Sequence, residues 1–328
     1  MSTPNTSSDR IEDSLDSAIE QIIVPALKSV LFDLRQLQTA NIQSAVARET
    51  LTRVAANLES MRTTWRDLLP RISGLDEMLM KFVDWISTES QNHNFSEEKR
   101  SLLSGSFALE KLVSQLVDSV DQGRIDRGLA PTRFDLINKI VELYKIESYL
   151  EIGCCGNSCF NRINCKQKVG VDPEQGGTLR MTSDAFFAVN AQTFDLIFID
   201  GLHESQQVDR DIINALRCSS EHGIIVMHDC DPKFEIRTLV PRVSEVWNGD
   251  VWKSFVRARS KSDLDCATGL FDHGTAVLIK RHNSNFLNHV SESELSWENL
   301  QLHRENWLQP KPFNVLLDWI ENPLRSKS

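Results

Sequence analysis

The sequence predicts a doubly wound α/β sheet preceded by a separate, purely helical half. Three observations carry this expectation. From residue 131 onward, short apolar runs alternate with amphipathic helical stretches, the pattern of a mostly parallel sheet covered on both faces. Successive apolar runs end on an acid: Glu151, Asp172, Asp200 and Asp229. Before residue 125 the apolar residues instead recur by alternating threes and fours, the spacing of packed helices.

In the N-terminal half, Leu27, Val30, Leu34 and Leu37 form one helical stripe just after Pro25, which suits a first turn. Leu51, Val54, Leu58, Met61, Trp65 and Leu68 form a longer one. The register slips at "QTANIQ", which calls for a bend or hairpin, and further helices are expected near 74–88 and 97–121. Such a stripe is either the core of a bundle within one chain or the seam of a homo-oligomer formed through these helices. No catalytic residue types gather in this half. Three regions are therefore expected: a helical or oligomerisation domain over 1–125, an α/β domain over 126–282 and a helical extension over 283–328.

Beyond "DQGRIDRGLAP" a helix is expected over 131–145 and a strand over 147–152, leading into "GCCGNS". "KVGVD" supplies a second strand, a third is expected near 178–182, and "SDAFFAVN" opens a short helix. "FDLIFID" and "GIIVMHD" are continuous apolar runs of the kind buried on both faces, separated by a helix over about 205–217. Segments 263–268 and 274–281 form a closing pair. In such a sheet a ligand sits beyond the carboxyl ends of the strands, where the four acids lie.

Composition narrows the ligand. The 328-residue chain has a net charge of −10 and 41% hydrophobic residues. That charge repels phosphate backbones and anionic membrane surfaces, so neither nucleic acid nor membrane is an expected partner. The N-terminus lacks the basic start and apolar core of a signal peptide, and no run approaches the roughly 18 apolar residues of a membrane helix, so a cytoplasmic location is expected. Cys154, Cys155, Cys159 and Cys165 match neither paired CxxC zinc spacing nor a CxxC redox motif and read as small thiols packing a turn.

A pyrophosphate-binding turn needs G-x-G-x-x-G. Counting from Gly153, the later glycines would fall where Cys155 and Ser158 stand, so a dinucleotide is disfavoured. Asp172 nevertheless follows about 20 residues after the turn, where an acid can accept hydrogen bonds from a ribose. A site built for a ribose but not for phosphates suits a cationic nucleoside.

The segments "YLEIGCCGNSCF", "VGVDPEQ", "RMTSDAFF", "FDLIFIDGLHESQQVDRDI" and "GIIVMHDCDP", in that order, resemble the successive motifs of class I S-adenosylmethionine-dependent methyltransferases. The likeness covers about 131–281 and is closest to the branch with "IDG-x-H" and "HD" strand ends. It implies a Rossmann-like methyltransferase sheet with S-adenosylmethionine as cofactor. By position, Glu151, Gly153 and Gly156 would surround the methionine end, Asp172 would hold the ribose, and Ser183 with Asp184 would lie by the adenine. Cys154 and Cys155 fill a turn that is glycine-rich in the family.

The resemblance also implies chemistry at the later strand ends. A hydroxyl acceptor must lose its proton as the methyl group arrives, and His203, with Asp200 and Asp229 beside it, is the expected base. Some relatives place a divalent ion there. Asp200 and Asp229 match its carboxylate ligands, Cys230 replaces the usual Asn, and Asp231 is the expected substitute ligand for Mg²⁺. "WNGDVWK" offers either a stacking wall for a sugar or aromatic acceptor or a packed turn. The expected activity is O-methylation of a small hydroxylated molecule such as a sugar or sugar-bearing metabolite. The alternative is a non-catalytic interaction protein on the same fold.

Overall fold

The computed structural model describes residues 15–39, 44–65, 75–91, 95–283 and 285–321. The chain divides into two compact units, 1–123 and 124–328.

The first unit is helical. A π-helical turn, Ile19–Ile23, runs into α1 (Val24–Thr39), followed by α2 (Ser44–Thr64), α3 (Leu75–Gln91) and α4 (Phe95–Asp126). Leu27, Leu34, Val54 and Leu58 are fully enclosed and Val30, Leu51 and Trp65 nearly so. Burying seven such side chains is what holds short amphipathic helices together in water. In this unit the stripe residues are buried among the helices. Most of the break expected at "QTANIQ", Leu68 and the side chain of Leu37 lie outside the described residues.

The second unit opens with α5 (Arg133–Tyr144), whose start is fixed by a capping box between Thr132 and Asp135. There follow β1 (Ser148–Ile152), β2 (Gln167–Val171), α6 (Ser183–Val189), β3 (Phe194–Ile199), α7 (Ser205–Cys218) and β4 (Ser219–Met227). Then come α8 (Val251–Arg259), β5 (Asp265–Gly269), β6 (Thr275–Ile279), α9 (Trp297–Leu308), β7 (Pro310–Lys311) and α10 (Phe313–Glu321). The strands form one seven-stranded sheet in the order β2-β1-β3-β4-β6-β5-β7. β1 to β4 are parallel, and β6 runs antiparallel to both β4 and β5.

Alternate residues feed the two faces, as the pleat requires. Leu150, Ile152, Ile197, Ile199, Ile225 and Met227 pack under α7, α8 and α9. Tyr149, Leu196, Phe198, Ile224 and Val226 pack against Leu136, Ile137 and Ile140 of α5 and Leu316 and Ile320 of α10. This is the doubly wound, Rossmann-like sheet that the sequence predicts. The closing pair forms as β5 and β6, and the C-terminal segment packs into the same unit through α9, β7 and α10.

The third strand expected near 178–182 does not form. Residues 178–182 make a single bridge, Val171 to Leu179. Thr178 and Leu179 both turn their N–H groups onto the Gly170 carbonyl, so the chain folds back at Gly176–Gly177 rather than extending the sheet edge. All seven cysteines are free thiols, and Cys154 and Cys159 pack in the core on the α5 side. Among the described residues, no helix is long and apolar enough to cross a membrane.

Candidate active site and cofactor cavity

The carboxyl ends of β1, β2 and β3 open onto a cavity of about 420 Å³. Gly153, Cys155, Asp172 and Glu174 form one wall, and Ser183, Asp200 and Gln207 another. The first turn is shaped by Gly153, whose φ is +85°. A Cβ there would stand 2.1 Å from the Asp200 carbonyl oxygen, so only glycine lets the β1 and β3 ends approach this closely. Gly156, also at positive φ, completes a tight 3-10 turn over Cys155–Asn157.

Asp172 sits at the tip of β2 as expected, but its oxygens are spoken for. Oδ2 accepts the N–H groups of Cys154 and Cys155, both at 3.0 Å, and Oδ1 accepts those of Glu174 and Gln175, both at 2.8 Å. Burial alone would raise its pKa, but these four donors outweigh it and hold the carboxyl below its ordinary value.

Across the cavity, Gln207 donates to Ser183 Oγ at 3.1 Å and to Asp184 at 3.2 Å. Asp184 is half exposed and paired with Arg210 at 3.3 Å. Ser183 lines the cavity, and Asp184 stands behind it at the surface. Glu151 faces the α5 side, fully buried, taking the Tyr149 hydroxyl at 2.6 Å on Oε2, while its Oε1 has no partner. Burial pushes its carboxyl up to about 7, against the Tyr149 hydrogen bond, with the nearby Asp200 charge adding to the rise.

Asp200 lines the cavity and also belongs to a second constellation. One ligand atom from each of Asp200, His203 and Asp229 lies within 4.8 Å of the others. His203 Nδ1 is 2.8 Å from the Trp247 carbonyl, which can only accept, so Nδ1 carries a hydrogen and Nε2 faces the carboxylates. Nε2 is 3.4 Å from both Asp200 and Asp229. Asp229 has a left-handed backbone at φ +62°, and its Oδ1 takes the buried Asn248 amide at 2.7 Å.

Beneath lies a layer of fixed charge. His228 Nδ1 faces Asp229 at 2.9 Å and Asp200 at 3.3 Å, and Nε2 faces Asp272 at 3.2 Å. With a carboxylate at each nitrogen the ring is an imidazolium; burial disfavours the charge, but Asp229 and Asp200 overcome it. Arg133 donates to Asp272 at 3.0 Å and stands 3.7 Å from Asp200. Three carboxylates therefore meet two built-in cations. The missing positive charge falls beside Asp200, His203 and Asp229. Burial opposes a charged His203, but Asp229 and Asp200 prevail and raise it to about 9. Without another cation, Nε2 keeps its proton at neutral pH and is not ready to receive one. Two carboxylates, one of them oriented by Asn248, and one imidazole nitrogen fit a divalent ion that accepts mixed nitrogen and oxygen ligands.

Asp231 does not join this set. Its carboxylate is paired with Arg304 of α9, so His203 supplies the third donor where Asp231 was expected. "WNGDVWK" is a packed turn that builds the site. Trp247 orients His203, Asn248 holds Asp229, and Asp250 accepts the Ser205 N–H and hydroxyl at the start of α7. Gly249 lies so close that a Cβ would overlap the His203 carbonyl. Trp252 is buried and stacked on Trp307 with ring centres 6.2 Å apart. Arg133, Asn248 and Asp272 went unnoticed in the sequence. Only Asn248, in a segment already singled out, left a local signal.

A family model described as a methyltransferase domain matches residues 174–230, the stretch from the β2 loop through the end of β4. No curated protein matches the chain. Among solved structures, the chain is similar to an O-methyltransferase from Bacillus cereus in complex with SAH, at 14% identity and a TM-score of 0.36, covering 46% of this chain and 82% of that one. It is also similar to the O-methyltransferase TomG from Streptomyces achromogenes, in complex with SAM, at 13% identity and a TM-score of 0.34, covering 49% of this chain and 87% of that one.

Proposed function

We propose that this protein is an S-adenosylmethionine-dependent methyltransferase that acts on a hydroxyl oxygen of a small molecule, such as a sugar or sugar-bearing metabolite. The observation that carries the reading is the double membership of Asp200. It lines the nucleoside-sized cavity and is one of the three residues that converge beside it. A methyl donor seated in the cavity would thus have its reactive end next to the groups that handle the acceptor's proton. The matched family model, residues 174–230, includes Ser183, Asp200, His203, Gln207 and Asp229 of this site.

In this reading the Gly153–Gly156 turn frames the methionine end, with Glu151 buried behind it on the α5 side, and Ser183, with Asp184 behind it, borders the adenine. The sulfonium already activates the methyl group, so the protein's work is alignment and acceptor deprotonation. Asp200, Asp229 and the Nε2 of His203 would hold a divalent ion such as Mg²⁺, which when bound lowers the pKa of an acceptor hydroxyl. His228 and Arg133, both held by Asp272, keep the two ligand carboxylates ionised. Trp247 keeps Nε2 turned inward.

Calorimetric titration with S-adenosylhomocysteine and with NAD tests the cofactor assignment, the expected result being binding of the first alone. With a methyl acceptor in hand, chelator should abolish turnover and added Mg²⁺ restore it, while cofactor affinity largely survives. Absence of S-adenosylhomocysteine binding would leave the non-catalytic interaction protein as the better account.

A further inference from the structure

A cavity of about 420 Å³ is filled by a nucleoside, so the body of an acceptor has to rest outside it. Its hydroxyl belongs beside Asp200, His203 and Asp229. Asp200 opens onto the cofactor cavity, and the Asp229 side chain is closed in at 6% exposure. The trio is reached past His203, whose side chain is 20% exposed. His228 and Asn248, which also touch Asp229, are buried. Trp247 is only half-buried, and its indole lies against the His203 ring with centres 5.3 Å apart and planes inclined by 30°.

The indole is held in one orientation. Its Nε1–H donates to the Leu239 carbonyl at 2.8 Å, which fixes the ring and uses its one donor. What it has left for a ligand is a flat apolar face carrying the negative π cloud. The C–H face of a sugar or the face of an aromatic ring stacks on such a surface. Val240 and Val243 of the same segment are exposed as well. Trp252, at the other end of "WNGDVWK", has no open face, because it is closed in against Trp307.

We propose that Trp247 is a specificity-determining residue, its indole stacking on the ring that carries the hydroxyl to be methylated, so that the acceptor is a cyclic molecule and not an open-chain alcohol. The proposal rests on the methyl-transfer reading above and deepens it. Trp247 then serves the site twice. Its carbonyl turns Nε2 of His203 toward the carboxylates, and its side chain sets the plane of the acceptor beside that nitrogen. One residue thereby places both the acceptor's oxygen and the group that faces it.

The test uses the full chain with labelled S-adenosylmethionine and Mg²⁺. Three probes carry adjacent hydroxyls: methyl β-D-glucopyranoside, catechol and open-chain glycerol. The wild-type protein should methylate at least one of the two rings and not glycerol, and the better ring shows whether a C–H face or an aromatic face is preferred. Trp247→Phe and Trp247→Leu both lose the bond to Leu239, but Phe keeps a flat face and Leu does not. Leu should raise KM for the better ring about 10-fold more than Phe does, with kcat moving less than KM. A merely structural role would move both variants alike. If either variant fails to fold, the wild-type preference for a ring over glycerol still decides. Equal KM in the two variants, glycerol used as well as the rings, or transfer to neither ring by a protein that binds S-adenosylhomocysteine would overturn the proposal while the cofactor reading stands. Failure of the wild-type protein to bind S-adenosylhomocysteine would remove both.

Discussion

His203→Ala should lower methyl transfer by roughly 10²–10⁴-fold and leave cofactor affinity nearly unchanged. The imidazole does not line the cavity; it stands between two carboxylates, with Nε2 3.4 Å from each. Removing it takes away either the third ligand of a cation or the proton that separates Asp200 from Asp229. In both cases the acids repel and the acceptor loses its route to deprotonation. Chelation distinguishes the two routes. If a cation is held, chelator silences the wild-type enzyme, because the imidazole alone is protonated below about 9. If His203 is itself the base, chelator does nothing and the rate climbs with pH toward that same value as Nε2 is freed. A fully active His203→Ala enzyme that also ignores chelator would rule out both.

Glu151→Gln should stabilise the cofactor-free protein at pH 8 by up to about 3 kcal/mol and by far less near pH 5. The buried carboxyl titrates at about 7 in the fold against an ordinary 4.5. A raised carboxyl favours the fold only while protonated. The contribution is whole below 4.5, falls as the pH rises and is gone above about 7. Glutamine imitates the protonated form at every pH and can still accept the Tyr149 hydroxyl. Urea unfolding of both proteins at pH 5 and pH 8 reads the difference. Equal stability at pH 8 would mean that Glu151 is ionised and satisfied.

The sheet was legible because its strands are written as apolar runs whose alternate residues serve opposite faces, "FDLIFI" above all. The acidic strand ends were legible for the same reason: Asp200 and Asp229 follow directly from the two most apolar runs. The expected strand at 178–182 failed because backbone bonds to Gly170 compete for its N–H groups, and no residue pattern shows that. Asp231 looked like a ligand because it is next to the site in sequence. Arg304, more than 70 residues away, takes it out. Arg133 and Asp272 were invisible for a similar reason: they are 139 residues apart and meet only once α5 and the β5–β6 hairpin are packed. What a carboxylate has left to offer, as at Asp172, depends on backbone donors, which sequence does not display.

The position of β6 bears on where this chain can be divided. The matched methyltransferase segment ends at residue 230, just past β4. Yet Ile224–Met227 of β4 pair along their far edge with Ala276–Ile279 of β6, which arrives some fifty residues later. A polypeptide ending near 230 would present that edge as an open row of N–H and carbonyl groups on an uncharged, β-branched segment, a template for joining other chains into aggregates. The smallest piece that keeps β4 paired along both edges therefore extends at least through Ile279.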